Sequence, residues 1–183
     1  MKKTQRGLSL IESAIVLGLS AVVISGVLYY NDVIVRNNNR MSLMKTINSQ
    51  AAIVNKLYMG YGSSKPYDGL TPALMDKLQP GIQRDKEGWI LGPGGLRYTI
   101  SNTKGTYGYM YYFDIDFIPL NECQDYAVMF TNMGAIQEGW FMNGSKGKWQ
   151  TYTGTPSQIK GELLQACKNA TNKTVRMSIG LIA

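Results

Sequence analysis

Apolar residues crowd one end of this chain. Residues 8–30 read LSLIESAIVLGLSAVVISGVLYY and hold a single charge, Glu12. As a helix this stretch spans about 35 Å, enough for a hydrocarbon core about 30 Å thick. Past it the pattern becomes one-sided. Met44, Ile47, Ala51, Val54 and Tyr58 recur at helical spacing, with Lys45, Asn48, Ser49, Asn55 and Lys56 mostly on other faces. No proline interrupts residues 8–58, and Gly60 and Gly62 offer a stop. The pattern predicts one helix of two characters, apolar all round and then amphipathic. Asn37-Asn38-Asn39 has low helix propensity, and either a bend or a polar helical turn fits it.

The remainder alternates between turn signals and short strand or helix patterns. Residues 63–88 form a connecting region punctuated by Pro66, Asp68-Gly69, Pro72, Pro80-Gly81 and Gly88. Within it, Thr71 and Pro72 suit the cap and first position of a short helix ending near Leu78. Residues 89–91 and 96–100 read as strands joined by the turn Gly92-Pro93-Gly94-Gly95. In residues 107–118, Phe113, Ile115 and Phe117 alternate with Asp114 and Asp116, the pattern of a half-buried strand. The two aspartates then share the outer face, as a solvated edge in preference to a calcium pair. Asn121 is the expected cap of a helix over residues 122–133 that Gly134 ends. Residues 140–142 and 149–152 predict a hairpin across Asn143-Gly144. A short helix is expected over residues 158–166 and a β-branched final strand over 174–182.

Composition removes several function classes. The chain has no His, which excludes Ser/His and Cys/His nucleophiles and most catalytic zinc sites. The Gly-rich turn at residues 92–95 lacks the Lys-Ser/Thr of a phosphate-binding loop. No enzyme, cofactor or metal centre is expected. The formal charge is +7, or +4 without Lys2, Lys3 and Arg6. No basic run interleaves with aromatics, so nucleic acid is not an expected partner. Those three basic residues precede the apolar block, which keeps the N-terminus cytoplasmic and sends the rest outward.

A secretory signal cut after Val23-Ile24-Ser25 is one account of the block. Two features oppose it: the block exceeds a typical signal core, and Glu12 lies inside it. A carboxylate at the centre of a membrane helix costs on the order of 3 kcal/mol, less near its end. A cut after Gly7 gives that charge a role. Leu8 then gains a free amine, Glu12 becomes the fifth residue, and a neighbouring subunit's amine can neutralise it in an apolar bundle.

The run Gly7-Leu8-Ser9-Leu10-Ile11-Glu12-Ser13, after a short basic leader and before a long apolar stretch, resembles the class III signal of type IV prepilins. The resemblance implies cleavage between Gly7 and Leu8 by a membrane aspartyl prepilin peptidase and N-methylation of Leu8. It makes Glu12 the assembly residue. Residues 1–7 are then the leader, 8–30 the transmembrane and polymerisation helix, and 31–183 the globular part including the amphipathic half of the helix.

Two cysteines, Cys123 and Cys167, remain. An even count in an extracytoplasmic chain favours a disulfide, here closing a loop of about 45 residues worth roughly 4 kcal/mol in the chain-entropy account. Leu57-Tyr58-Met59-Gly60, Thr155-Pro156, Ala166-Cys167-Lys168-Asn169 and Thr171-Asn172-Lys173 are similar to type IVb pilins, which carry a C-terminal disulfide. Leu8 suits type IVb better than the Phe of type IVa, although the leader is shorter than type IVb usually has. The fold implied is α+β: a long N-terminal helix packed on an antiparallel sheet, with a C-terminal disulfide-stapled region. The function implied is a structural subunit of a type IVb-like pilus, for adhesion, bundling or microcolony formation. A minor pilin that initiates or tips the filament, and a type II secretion pseudopilin, are the alternatives. The partners implied are the chain itself, the prepilin peptidase, inner-membrane assembly machinery and a host-cell surface. The implied location is the inner membrane with the head in the periplasm, then an extracellular pilus.

Overall fold

Both the apolar block and the one-sided stretch after it are helical: α1 runs Leu10–Tyr58. The structure is a computed structural model that describes residues 9–58, 66–106, 108–133, 136–144 and 146–182. The glycines expected to stop α1, Gly60 and Gly62, lie outside the described residues, as does Gly134. Asn37, Asn38 and Asn39 are helical. The chain divides into two units, Met1–Asn39 and Arg40–Ala183.

In the second unit the buried stripe of α1 is Leu43, Ile47, Gln50 and Val54. It lies one position off the expected stripe at Leu43 and Gln50; Met44, Ala51 and Tyr58 are only partly covered. The stripe shares one core with a six-stranded antiparallel sheet ordered β1-β2-β3-β6-β4-β5. Its strands are β1 (Ile90–Leu91), β2 (Arg97–Gly105), β3 (Gly108–Pro119), β4 (Ile136–Asn143), β5 (Gln150–Thr153) and β6 (Thr174–Leu181). The last strand therefore inserts between β3 and β4. Register puts Tyr98 and Ile100 of β2, Phe113 and Ile115 of β3, Met177 and Ile179 of β6 and Phe141 of β4 on one face, all buried.

Three shorter helices complete the unit: α2 (Pro72–Leu78), α3 (Cys123–Thr131) and α4 (Pro156–Asn169). Thr71 caps α2 as expected, its side chain accepting from Leu74 N–H with Pro72 in the first turn. α4 begins earlier than its apolar pattern suggests, because Thr155 and Gln158 close a capping box around Pro156. Gly139 lets α4 approach β4: a Cβ there would lie 2.7 Å from Ile159 Cγ2.

Several expectations are corrected. Asp114 and Asp116 are not a solvated edge: β3 lies between β2 and β6, and both carboxylates are buried. Phe117 does not follow Phe113 and Ile115 inward. The β3–β6 register shifts between Ile115 and Ile118, so Ile118 is buried while Phe117 is 41% exposed at φ 63°. Asn121 does not cap α3. It sits in a 3-10 turn, Leu120–Glu122, that leads into α3 with no side-chain cap. The hairpin β4–β5 does not turn at Asn143-Gly144, because Phe141 pairs with Gln150 and a longer connection intervenes. Asn143, at the end of β4, instead holds the connection from α4 to β6, its Oδ1 accepting from Thr171 N–H and Asn172 N–H.

Candidate assembly helix and stapled head

The first unit presents apolar side chains with no cover of its own. Leu10, Ile11, Val16, Leu17, Val22 and Val23 are more than half exposed, and α1 is long and apolar enough here to cross a membrane. An apolar surface of this extent marks a membrane or protein contact. Two of its hydroxyls are turned onto its own backbone. Ser20 Oγ donates to Val16 O at 2.7 Å and Ser25 Oγ to Ala21 O at 2.8 Å, so neither hydroxyl interrupts the apolar surface. Asp32 and Arg36 pair at 2.8 Å one turn apart, just past the block.

Glu12 sits in the first turn. Its Oε2 accepts from Ser9 N–H at 2.7 Å, and Glu12 N–H donates to Ser9 Oγ at 3.2 Å. These two bonds are reciprocal, so Ser9 is the N-cap and Glu12 the third helical residue of a capping box. Reading Glu12 as a charge alone misses Ser9, although the spacing Ser-x-x-Glu before an apolar run is visible in the sequence. Gly7 and Leu8, the expected cleavage and methylation residues, lie outside the described residues.

In the second unit Cys123 and Cys167 are bonded, with their Cα atoms 5.7 Å apart. The bridge ties the start of α3 to the last turns of α4, and both cysteines are buried. Arg40 of α1 pairs with Asp125 of α3, with Glu122 at 4.0 Å.

The sheet face opposite the core carries an unexpected stack. Arg97 Nη2 donates to Asp116 Oδ2 at 3.1 Å and its Nη1 to Glu87 Oε2 at 2.7 Å. Arg176 Nε donates to Asp114 Oδ1 at 2.8 Å, and Nη2 binds the other oxygen. Each guanidinium lies between two rings. Arg97 is 4.8 Å from Trp89 and 4.6 Å from Phe117; Arg176 is 4.7 Å from Trp89 and 5.1 Å from Trp149. Trp89 thus joins both cations. Burial holds the Asp114 carboxyl above its ordinary value, with Arg176 only partly offsetting it. Asp85 is shifted down: slight desolvation is outweighed by the N–H groups of Trp89 and Glu87 and by Arg97. With guanidinium groups in these places, the aspartates serve as ion-pair partners and not as calcium ligands. The alternation Val175-Arg176-Met177-Ser178 could have put Arg176 on the aspartate face; which strand lies beside β3 could not be read. A cleft of about 380 Å³ adjoins the stack, with Tyr112, Trp140, Trp149 and Thr151 among its walls.

A long apolar N-terminal helix, continued by an amphipathic half that packs on an antiparallel sheet with a C-terminal disulfide, is the architecture that the resemblance to type IV pilins implies, and sequence likeness supports that resemblance. It is 27% identical over 186 aligned residues to the major structural subunit of bundle-forming pilus of Escherichia coli O111:H-, covering 94% of this chain and 93% of that protein. The likeness to the subunit of the same name in Escherichia coli O127:H6 (strain E2348/69 / EPEC) has the same identity and coverage. No family model and no solved structure matches the chain.

Proposed function

We propose that this chain is the structural subunit of a type IVb-like pilus, an interaction protein and not an enzyme. The observation that carries the reading is the exposed apolar first unit of α1. As a monomer it needs a membrane; in a filament it is covered by the same helix of other subunits. The precursor inserts in the inner membrane with its head in the periplasm. The prepilin peptidase cuts between Gly7 and Leu8, and Leu8 is N-methylated. Residues 1–7 are thereby removed, 8–30 form the transmembrane and polymerisation helix, and 31–183 form the globular part.

Assembly machinery then draws the subunit into an extracellular filament. Glu12 enters an apolar bundle there, and the amine of a neighbouring Leu8 neutralises it. The heads pack outside the bundle, where their surfaces meet other pili or a host cell. Nearly full-length likeness to two proteins named as major structural subunits supports a major rather than a minor role.

Shearing filaments from cells that express the chain and measuring its share by mass spectrometry tests the reading. The chain should be the main component. A trace share would make it a minor pilin, and its absence from filaments overturns the proposal.

A further inference from the structure

The Ser9–Glu12 box bears on how the assembly residue is aimed. Glu12 has the reach to fold back over its own first turn, and its Oε2 is fixed on the backbone N–H of Ser9 at 2.7 Å. Ser9 Oγ in return accepts from Glu12 N–H, and Ser9 O accepts the first helical bond from Ser13 N–H at 3.0 Å. The carboxylate therefore stands at the level of residue 9, not of residue 12. The difference is three residues along the helix, about 4.5 Å at 1.5 Å per residue. Ser9 N–H belongs to the peptide that follows Leu8, so the box contains no atom of residues 1–7 and survives a cut after Gly7. A carboxylate has about four acceptor positions. One is used by Ser9 N–H, which leaves capacity for an ammonium group.

We propose that Ser9 is a positioning residue for subunit assembly: the capping box holds the Glu12 carboxylate at the N-terminal end of its own helix, and this sets the level at which a neighbour's amine meets it. The inference rests on the proposed pilin function and deepens it. If charge alone governed assembly, any carboxylate at residue 12 would serve. If the box governs it, both side-chain length and the Ser9 hydroxyl matter. A Glu or Gln closes such a box with full reach, whereas a side chain one methylene shorter closes it less well.

Four full-length variants separate the two. Glu12→Asp keeps the charge and weakens the box. Glu12→Gln keeps the box and loses the charge. Ser9→Ala removes the hydroxyl, and Ser9→Thr retains it. Each is scored as filament per processed subunit in the membrane, so changes in insertion or cutting cancel. Amide exchange at residues 9 and 12 of the processed full chain in detergent micelles reports the box directly.

Glu12→Asp is expected to stay processed and membrane-held with few filaments. Ser9→Ala should lose roughly fivefold in filament ratio and in protection at residue 12, as for one lost cap. Ser9→Thr should restore both. Glu12→Gln should keep its protection and still assemble poorly. Wild-type filament ratios from Glu12→Asp, or unchanged protection in Ser9→Ala, overturn the proposal. Failure of the pilin reading looks different: the wild-type chain itself is then missing from the filaments.

Discussion

Gln50 of α1 donates a 3.1 Å hydrogen bond from Nε2 to the phenol oxygen of Tyr98 on β2, and both side chains are buried. Among the described residues it is one of two polar pins between the helix and the sheet. The other runs from Tyr111 OH to Asn55 Oδ1 at 2.9 Å. Burial pushes the Tyr98 hydroxyl up to about 12, so it stays neutral and able to share hydrogen bonds across the physiological range. A slide of α1 along the sheet would break both bonds, whereas an apolar stripe alone tolerates small slides.

A double-mutant cycle reads the first pin. Tyr98→Phe leaves the buried Gln50 amide without its partner, and the Oε1 of that amide has none among the described residues. It should cost about 1–3 kcal/mol. Gln50→Leu strands only the Tyr98 hydroxyl and should cost less. The double variant should be more stable than Tyr98→Phe alone, because no orphaned amide remains. Denaturant unfolding of the full chain in detergent supplies the values. Strict additivity would mean that the two groups do not interact.

The disulfide should carry much of the head's stability. Its sequence separation is 44, which in the chain-entropy account gives about 4 kcal/mol. Cys123→Ser and Cys167→Ser should each lower the unfolding midpoint and reduce subunit abundance through proteolysis. In the wild-type full chain no thiol should react with maleimide until reductant is added. Stoichiometric labelling of the unreduced protein would contradict the bridge.

Two carboxylates on the outer face push the acid response in opposite directions. The raised Asp114 carboxyl takes up its proton at higher pH in the folded protein than in the unfolded chain. Its contribution to stability therefore grows as pH falls through the raised value, and is complete below the ordinary 3.8. Asp85 contributes fully above 3.8, and that contribution is lost as pH falls through its lowered value. Asp85→Asn should flatten the loss on the acid side. Asp114→Asn should remove the gain above 3.8 and also weaken the hold on Arg176. Unfolding midpoints across about pH 2 to 6 read both effects. An Asp85→Asn curve parallel to wild type below 3.8 would show that Asp85 is not stabilised as described.

How much of this could be read from the chain differs by element. α1 was legible because a long apolar run and a helical stripe need no partner to be recognised. The cap of α2 was legible because Thr71 and Pro72 act within one turn. β3 was legible as a strand, but its surroundings were not. Alternation told which residues share a face, not that β6 arrives from the far end of the chain to put Arg176 beside Asp114. The register shift after Ile115 likewise leaves no signal in a pattern of Phe, Ile and Asp, and it decides that Phe117 points out. Of the proposed assembly site, Glu12 was legible by its cost in an apolar run. Ser9 was visible only as a Ser-x-x-Glu spacing, and reading Glu12 as a charge passed over the two backbone N–H bonds through which Ser9 acts.

Processing gives the last test. In the proposed precursor Lys2, Lys3 and Arg6 hold the leader on the cytoplasmic side, so a protease acting at the membrane surface would meet residues 7 and 8 where the polar leader gives way to the apolar run. Gly7 lacks a Cβ, which leaves room for a protease to approach the cut closely. The mature chain should begin at N-methyl-Leu8, which intact mass measurement resolves directly. Gly7→Val places a β-branched side chain at the cut and should leave uncut precursor in the membrane with the head still folded and its disulfide formed. Insertion should be unaffected, since the apolar run is unchanged. A mature N-terminus at Gly26 would point instead to a secretory signal. The exposed apolar half of α1 would then be discarded rather than assembled, and the capping box at Ser9 and Glu12 would have no part in the mature protein.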